Sequence, residues 1–73
     1  MADYKFLEQS SVQFFLDNVG DREFTVIFLK MDNTQRKLVG HLDTKQSTRK
    51  TTVHMMTFDG WKSFDTSRVL SIQ

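Results

Sequence analysis

Apolar residues in the first third of the chain recur at helical spacing. Within residues 4–19, YKFLEQSSVQFFLDNV, Val12, Phe15, Leu16 and Val19 fall at i, i+3, i+4 and i+7 and form one stripe. The stripe predicts a helix over about 4–19. Asp3 is placed to cap its start, and Gly20 stands where a left-handed C-terminal residue belongs. Ser10-Ser11 interrupts the segment, because hydroxyls compete for backbone hydrogen bonds; two short turns are the alternative to one rod. Phe6, Leu7 and Phe14 carry apolar surface beyond the stripe. They predict a helix that lies across a barrel mouth or groove, or one that gives part of its surface to a partner.

From Glu23 the period changes to two. Phe24, Val26 and Phe28 alternate with Thr25, Ile27, Leu29 and Met31, so both faces of this strand are largely apolar. That pattern predicts a central or strongly bent strand. Asp32-Asn33-Thr34-Gln35 predicts a hairpin turn, since Asp and Asn tolerate left-handed backbone and bond locally. Residues 36–43, RKLVGHLD, predict the return strand, with Leu38 and Leu42 on one face. Gly40 between them marks a bend, a bulge or the close approach of another backbone, and a small barrel needs such a point to curl. Residues 44–50, TKQSTRK, predict a polar basic loop, and 51–58, TTVHMMTF, a third strand. Asp59-Gly60 is a two-residue hairpin signal, glycine accepting the positive φ of a type I′ turn. Residues 61–64 predict a fourth strand, 66–68 a single short turn, and 69–72 a fifth strand. The order predicts a mainly β fold with one N-terminal helix: a small five-stranded SH3/Sm-like barrel over about residues 23–73.

Seventy-three residues predict one domain with one core. The absence of cysteine excludes disulfides, thiolate metal sites and cysteine nucleophiles, and it fits a reducing compartment. No apolar run approaches the roughly 20 residues of a membrane span, and Met1-Ala2-Asp3-Tyr4-Lys5 has no basic-then-apolar opening. The expectation is a soluble cytoplasmic protein with no membrane partner. The net charge of +1 conceals a gradient. Residues 1–29 sum to −3, residues 30–50 to +4, and the remainder balances. A basic stretch attracts phosphate, although most charge runs are solvated faces and the overall balance is far from that of a strong nucleic-acid binder.

Candidate chemistry is sparse. Lys30, Arg36, Lys37, Lys45, Arg49 and Lys50 would line one edge if the first hairpin and the next loop are neighbours. Beside Trp61 or His54 they would make a single-strand nucleic-acid surface. Trp61, the sole tryptophan, reads either as a stacking platform in that surface or as a packed core or groove residue whose indole N–H meets a carbonyl. His41 and His54 read as outward strand residues; a metal site needs three or four ligands in defined geometry, and no spacing here supplies them. Met55 and Met56 point to opposite strand faces, one into the core and one to an adaptable surface. Phe6, Leu7, Phe14 and Met56 are the candidate protein interface. No nucleophile elbow, phosphate loop or paired-carboxylate pattern is present, so neither an enzyme nor a cofactor is expected.

Two stretches carry a family resemblance. Lys30-Met31-Asp32-Asn33, followed by Arg36-Lys37-Leu38-Val39-Gly40-His41-Leu42, resembles the opening hairpin of small phage and bacterial Sm-like, SH3-type β-barrel proteins related to WYL domains. Gly60-Trp61-Lys62-Ser63-Phe64-Asp65, then Val69-Leu70-Ser71-Ile72, resembles that family's ending. The match spans about residues 23–73. Asp65 departs from the arginine common in the pattern, and the 44–50 loop is shorter and more basic. The resemblance implies the barrel fold and a phage or bacterial setting. The function expected first is therefore a non-enzymatic interaction module, a phage-encoded modulator that binds a host bacterial protein in the host cytoplasm. The alternatives are a single-stranded nucleic-acid or nucleotide-binding regulator of gene expression, and a self-assembling Sm-like ring formed by edge-strand pairing.

Overall fold

In a computed structural model that describes residues 5–43 and 51–73, the predicted order of elements is present. Helix α1 (Gln9–Val19) is followed by β1 (Phe24–Leu29), β2 (Gln35–Leu42), β3 (Thr52–Thr57) and β4 (Gly60–Asp65). A 3₁₀ turn, Thr66–Arg68, then leads into β5 (Val69–Ile72). The strands form one antiparallel sheet in the order β4-β3-β2-β1-β5. The fold is mainly β with one N-terminal helix, and its five strands are arranged as in the SH3/Sm-like barrels. The ring is not closed. β4 and β5 end the sheet, and among the described residues only the 3₁₀ turn joins them.

The helix is shorter than its apolar pattern predicts. Residues 5–8 are not helical, because the amide of Leu7 donates to the Val69 carbonyl at 2.8 Å and ties this segment to β5. Helix begins only where the Glu8 carbonyl can accept from Ser11 and Val12, at 3.0 and 3.1 Å. The predicted cap at Asp3 lies outside the described residues. At the other end Gly20 takes φ 62° and ψ −130°, a combination open mainly to glycine. Arg22 finishes this end, donating through Nε to the Val19 carbonyl and through Nη2 to that of Asn18, both at 3.1 Å. Side-chain donors of this kind satisfy carbonyls that have no partner in the last helical turn.

The stripe packs as its spacing requires. Val12, Leu16 and Val19 are buried with Phe24, Val26, Val53, Met55 and Val69 in one core cluster. Phe15 meets Phe24 edge-on, with ring centroids 5.8 Å apart. Each fully buried aliphatic side chain contributes about 2 kcal/mol by the area it removes from water. Along β2 the alternation puts Leu38, Gly40 and Leu42 inward and Lys37, Val39 and His41 outward. β1 pairs with β2 on one side and β5 on the other, with a register irregularity between Ile27 and Phe28 on the β5 side. That central place accounts for its two apolar faces.

The second hairpin turns one residue earlier than predicted. Thr57 pairs with Gly60, so the loop residues are Phe58 and Asp59. Positive φ falls on Gly60 alone, at 105°, in contrast to a type I′ turn, which needs it at both loop positions. Phe58, expected at the end of the third strand, sits at the hairpin tip and is 94% exposed. The first hairpin has the same construction. The Asn33 amide donates to the Lys30 carbonyl at 2.9 Å, Asn33 takes φ 66°, and Met31 is left exposed at the tip.

Candidate binding groove

The open side of the barrel forms a groove of about 730 Å³ between the β1–β2 hairpin and β4. A volume of this order is typical of small-molecule or side-chain binding sites. Its construction follows from strand parity. Phe28, Leu38 and Phe64 occupy inward positions on β1, β2 and β4 and make an apolar floor, with the rings of Phe28 and Phe64 6.0 Å apart. Arg36 shares the parity of Leu38 and stands opposite Phe28; Lys62 shares the parity of Phe64. Both cations therefore line the groove beside the floor. Trp61 and His54 belong to the rim, where Trp61 is 55% exposed and pairs across strands with the half-buried Met56.

Hydrogen bonds fix the far wall. Arg68 donates through Nε to the Leu29 carbonyl at 3.0 Å and through Nη2 to the Lys30 carbonyl at 3.1 Å, which ties the 3₁₀ turn to the end of β1. Its guanidinium also lies over the Phe6 ring, 5.6 Å from the centroid, a cation–π arrangement. Both groove carboxylates are held by local bonds. Asp65 Oδ1 accepts from the amide and hydroxyl of Ser67, at 2.8 and 2.5 Å. Asp32 Oδ1 accepts from the hydroxyl and amide of Thr34, at 2.6 and 3.1 Å, while Lys30 approaches its other oxygen at 4.0 Å. The Thr34 hydroxyl, then its amide, hold the Asp32 carboxyl below its ordinary pKa. The side chains of Arg36 and Lys62 have no ion pair or hydrogen bond among the described residues.

The sequence-predicted sites are only partly brought together. Lys30 and Arg36 reach the groove with Trp61. Lys37 does not, because as the next residue after Arg36 it points to the opposite face of β2. Lys45, Arg49 and Lys50 lie outside the described residues. Of the candidate protein interface, Phe6 is engaged by Arg68, Leu7 is 36% exposed beside β5, and Phe14 is 71% exposed on the outer face of α1. Met56 stands beside Trp61 on the outer face of β3. Met55 is fully buried, as the opposite parity of the pair requires. His41 faces Met56 and His54 faces Ser63, so the two histidines are not cross-strand partners. Among the described residues no group of three or more His, Cys, Asp or Glu is placed to hold a metal ion. No helix there is long and apolar enough to cross a membrane.

Lys62 and Arg68 were not singled out by the sequence. The signal for Lys62 was present, since period two places it on the same face as Phe64. Arg68 depends on the turn that brings it against β1, which no spacing reveals. No protein-family model, curated protein or solved structure matches this chain.

Proposed function

We propose that this protein is a non-enzymatic interaction module and that the groove between the β1–β2 hairpin and β4 receives a segment of a partner protein. The observation that carries this reading is the apolar floor of Phe28, Leu38 and Phe64, bordered by the half-exposed Trp61. Apolar pockets edged by an exposed aromatic are where interface energy concentrates. The resemblance of the first hairpin and of residues 60–72 supports the setting: a phage-encoded protein acting on a bacterial host protein in the host cytoplasm. Affinity capture from bacterial lysate, split into nuclease-treated and untreated halves, tests the reading. One stoichiometric protein is expected to survive nuclease and to be lost with Trp61→Ala. Loss with Phe14→Glu, and not with Trp61→Ala, would move the interface to the helix.

A second reading rests on the same Trp61 with Lys30, Arg36 and Lys62 around it. An aromatic platform among cations suits single-stranded nucleic acid and a regulator of gene expression. Capture that disappears on nuclease treatment would favour it.

A further inference from the structure

Two features of the groove point beyond its being a protein-binding site. Its cations exceed its carboxylates: Lys30, Arg36, Lys62 and Arg68 line it against Asp32 and Asp65. The carboxylates are also occupied, Asp32 by Thr34 and Lys30 and Asp65 by Ser67, whereas the side chains of Arg36 and Lys62 have no polar partner among the described residues. Both free cations occupy inward strand positions, where period two would otherwise place core residues. An inward lysine on an edge strand also discourages edge-to-edge association, and that accounts for Lys62 on β4. Arg36 also stands where β2 has a neighbour on one side only, since β3 pairs with β2 at residues 40–42 alone, but edge protection does not require that both cations converge on one apolar floor.

From this arrangement we infer that the groove selects an extended acidic peptide segment of a protein partner. An apolar side chain of the segment rests on Phe28, Leu38 and Phe64. Carboxylates on either side of that anchor meet Arg36 from β2 and Lys62 from β4. Arginine matches a carboxylate with two parallel N–H donors, while lysine acts as a point charge. Charge complementarity selects the partner and the apolar floor supplies area, so neutral segments of the same shape bind more weakly. Nucleic acid meets the cations equally well. It carries no aliphatic anchor, so it makes less use of a floor of two phenylalanines and a leucine.

The inference rests on the proposed protein-binding function, and the test separates the two. The probe is a library of random twelve-residue peptides displayed on filamentous phage, selected on the folded 73-residue chain. Selected peptides are then titrated against the fluorescence of Trp61, the sole tryptophan. The expected result is enrichment of Asp or Glu flanking an aromatic or aliphatic residue. Affinity should fall at least tenfold when the peptide acids become amides, and again with Arg36→Gln plus Lys62→Gln, whose circular dichroism should remain native. Raising salt should weaken binding as well. Neutral or basic peptides, or acidic peptides indifferent to the double substitution, would overturn the acidic preference and leave the protein-binding groove standing. Should no peptide be selected while a thymidine oligonucleotide quenches Trp61, both the inference and the protein-binding function fall. Failure of both probes to bind likewise overturns both.

Discussion

Two glycines show how differently one residue type is required. At Gly40 an added Cβ would come within 1.9 Å of the Met56 carbonyl oxygen and 2.8 Å of its carbon, both backbone atoms that cannot rotate away. At Gly60 nothing lies within 4 Å of an added Cβ, but φ is +105°. The first position forbids a side chain by volume and the second by backbone conformation. Gly40→Ala is therefore expected to cost about 3 kcal/mol or more, since β2 and β3 must separate to admit the methyl group. Gly60→Ala should cost only about 1–2 kcal/mol, the strain of an L-residue at positive φ. Denaturant unfolding of the two variants checks the order. Equal losses would mean that the β2–β3 approach relaxes freely.

The elements show what the pattern could and could not reveal. Strand positions were legible because each inward run, such as Leu38-x-Gly40-x-Leu42, keeps a period of two and only one face of that strand is buried. The 3₁₀ turn was legible because three polar residues between two strands have room for little else. The helix start was not legible, because the competing bond from Leu7 to Val69 joins residues 62 positions apart, at separate ends of the sequence. The Phe58–Asp59 loop was misread because Asp-Gly suits either of two hairpins, and Phe58 has the composition of a strand residue. Of the groove, the residue types were readable and their convergence was not, since it depends on where the sheet remains open. One side chain joins three of these segments. Thr66, fully buried, accepts from Gln9 Nε2 at 2.9 Å and donates to the Thr51 carbonyl at 3.1 Å. Thr66→Val keeps the shape but removes both bonds. It should destabilise the fold by about 1 kcal/mol, because the Gln9 amide loses its acceptor while the Thr51 carbonyl keeps the Thr66 backbone amide at 2.7 Å. Thermal unfolding measures the loss, and an unchanged midpoint would show that water replaces the hydroxyl.

For the whole molecule, the question set by an open sheet is what happens at its edges. β5 is partly covered at Val69 by the amide of Leu7, and β4 carries Lys62 inward and Asp65 near its end. Both devices discourage edge-to-edge pairing between copies. The expected state at micromolar concentration is therefore a monomer of 8.6 kDa, not a ring. Light scattering coupled to size exclusion decides this, and a mass several times larger would favour assembly through these edges.

The sheet order also governs when the protein can fold. Val26–Phe28 pair with residues 69–72, although the helix and first hairpin lie entirely before residue 43. As the polypeptide emerges from a ribosome, α1, β1 and β2 therefore appear long before the strand that completes β1. Until β5 is made, one edge of β1 has no partner. Contacts this distant in sequence close late and slow the search for the native state. During that interval the nascent chain exposes the unpaired edge of an apolar strand, FTVIFL, which favours aggregation. The fold is thus committed by its last described strand, and a chain interrupted before residue 69 would present an adhesive half-sheet to the cell.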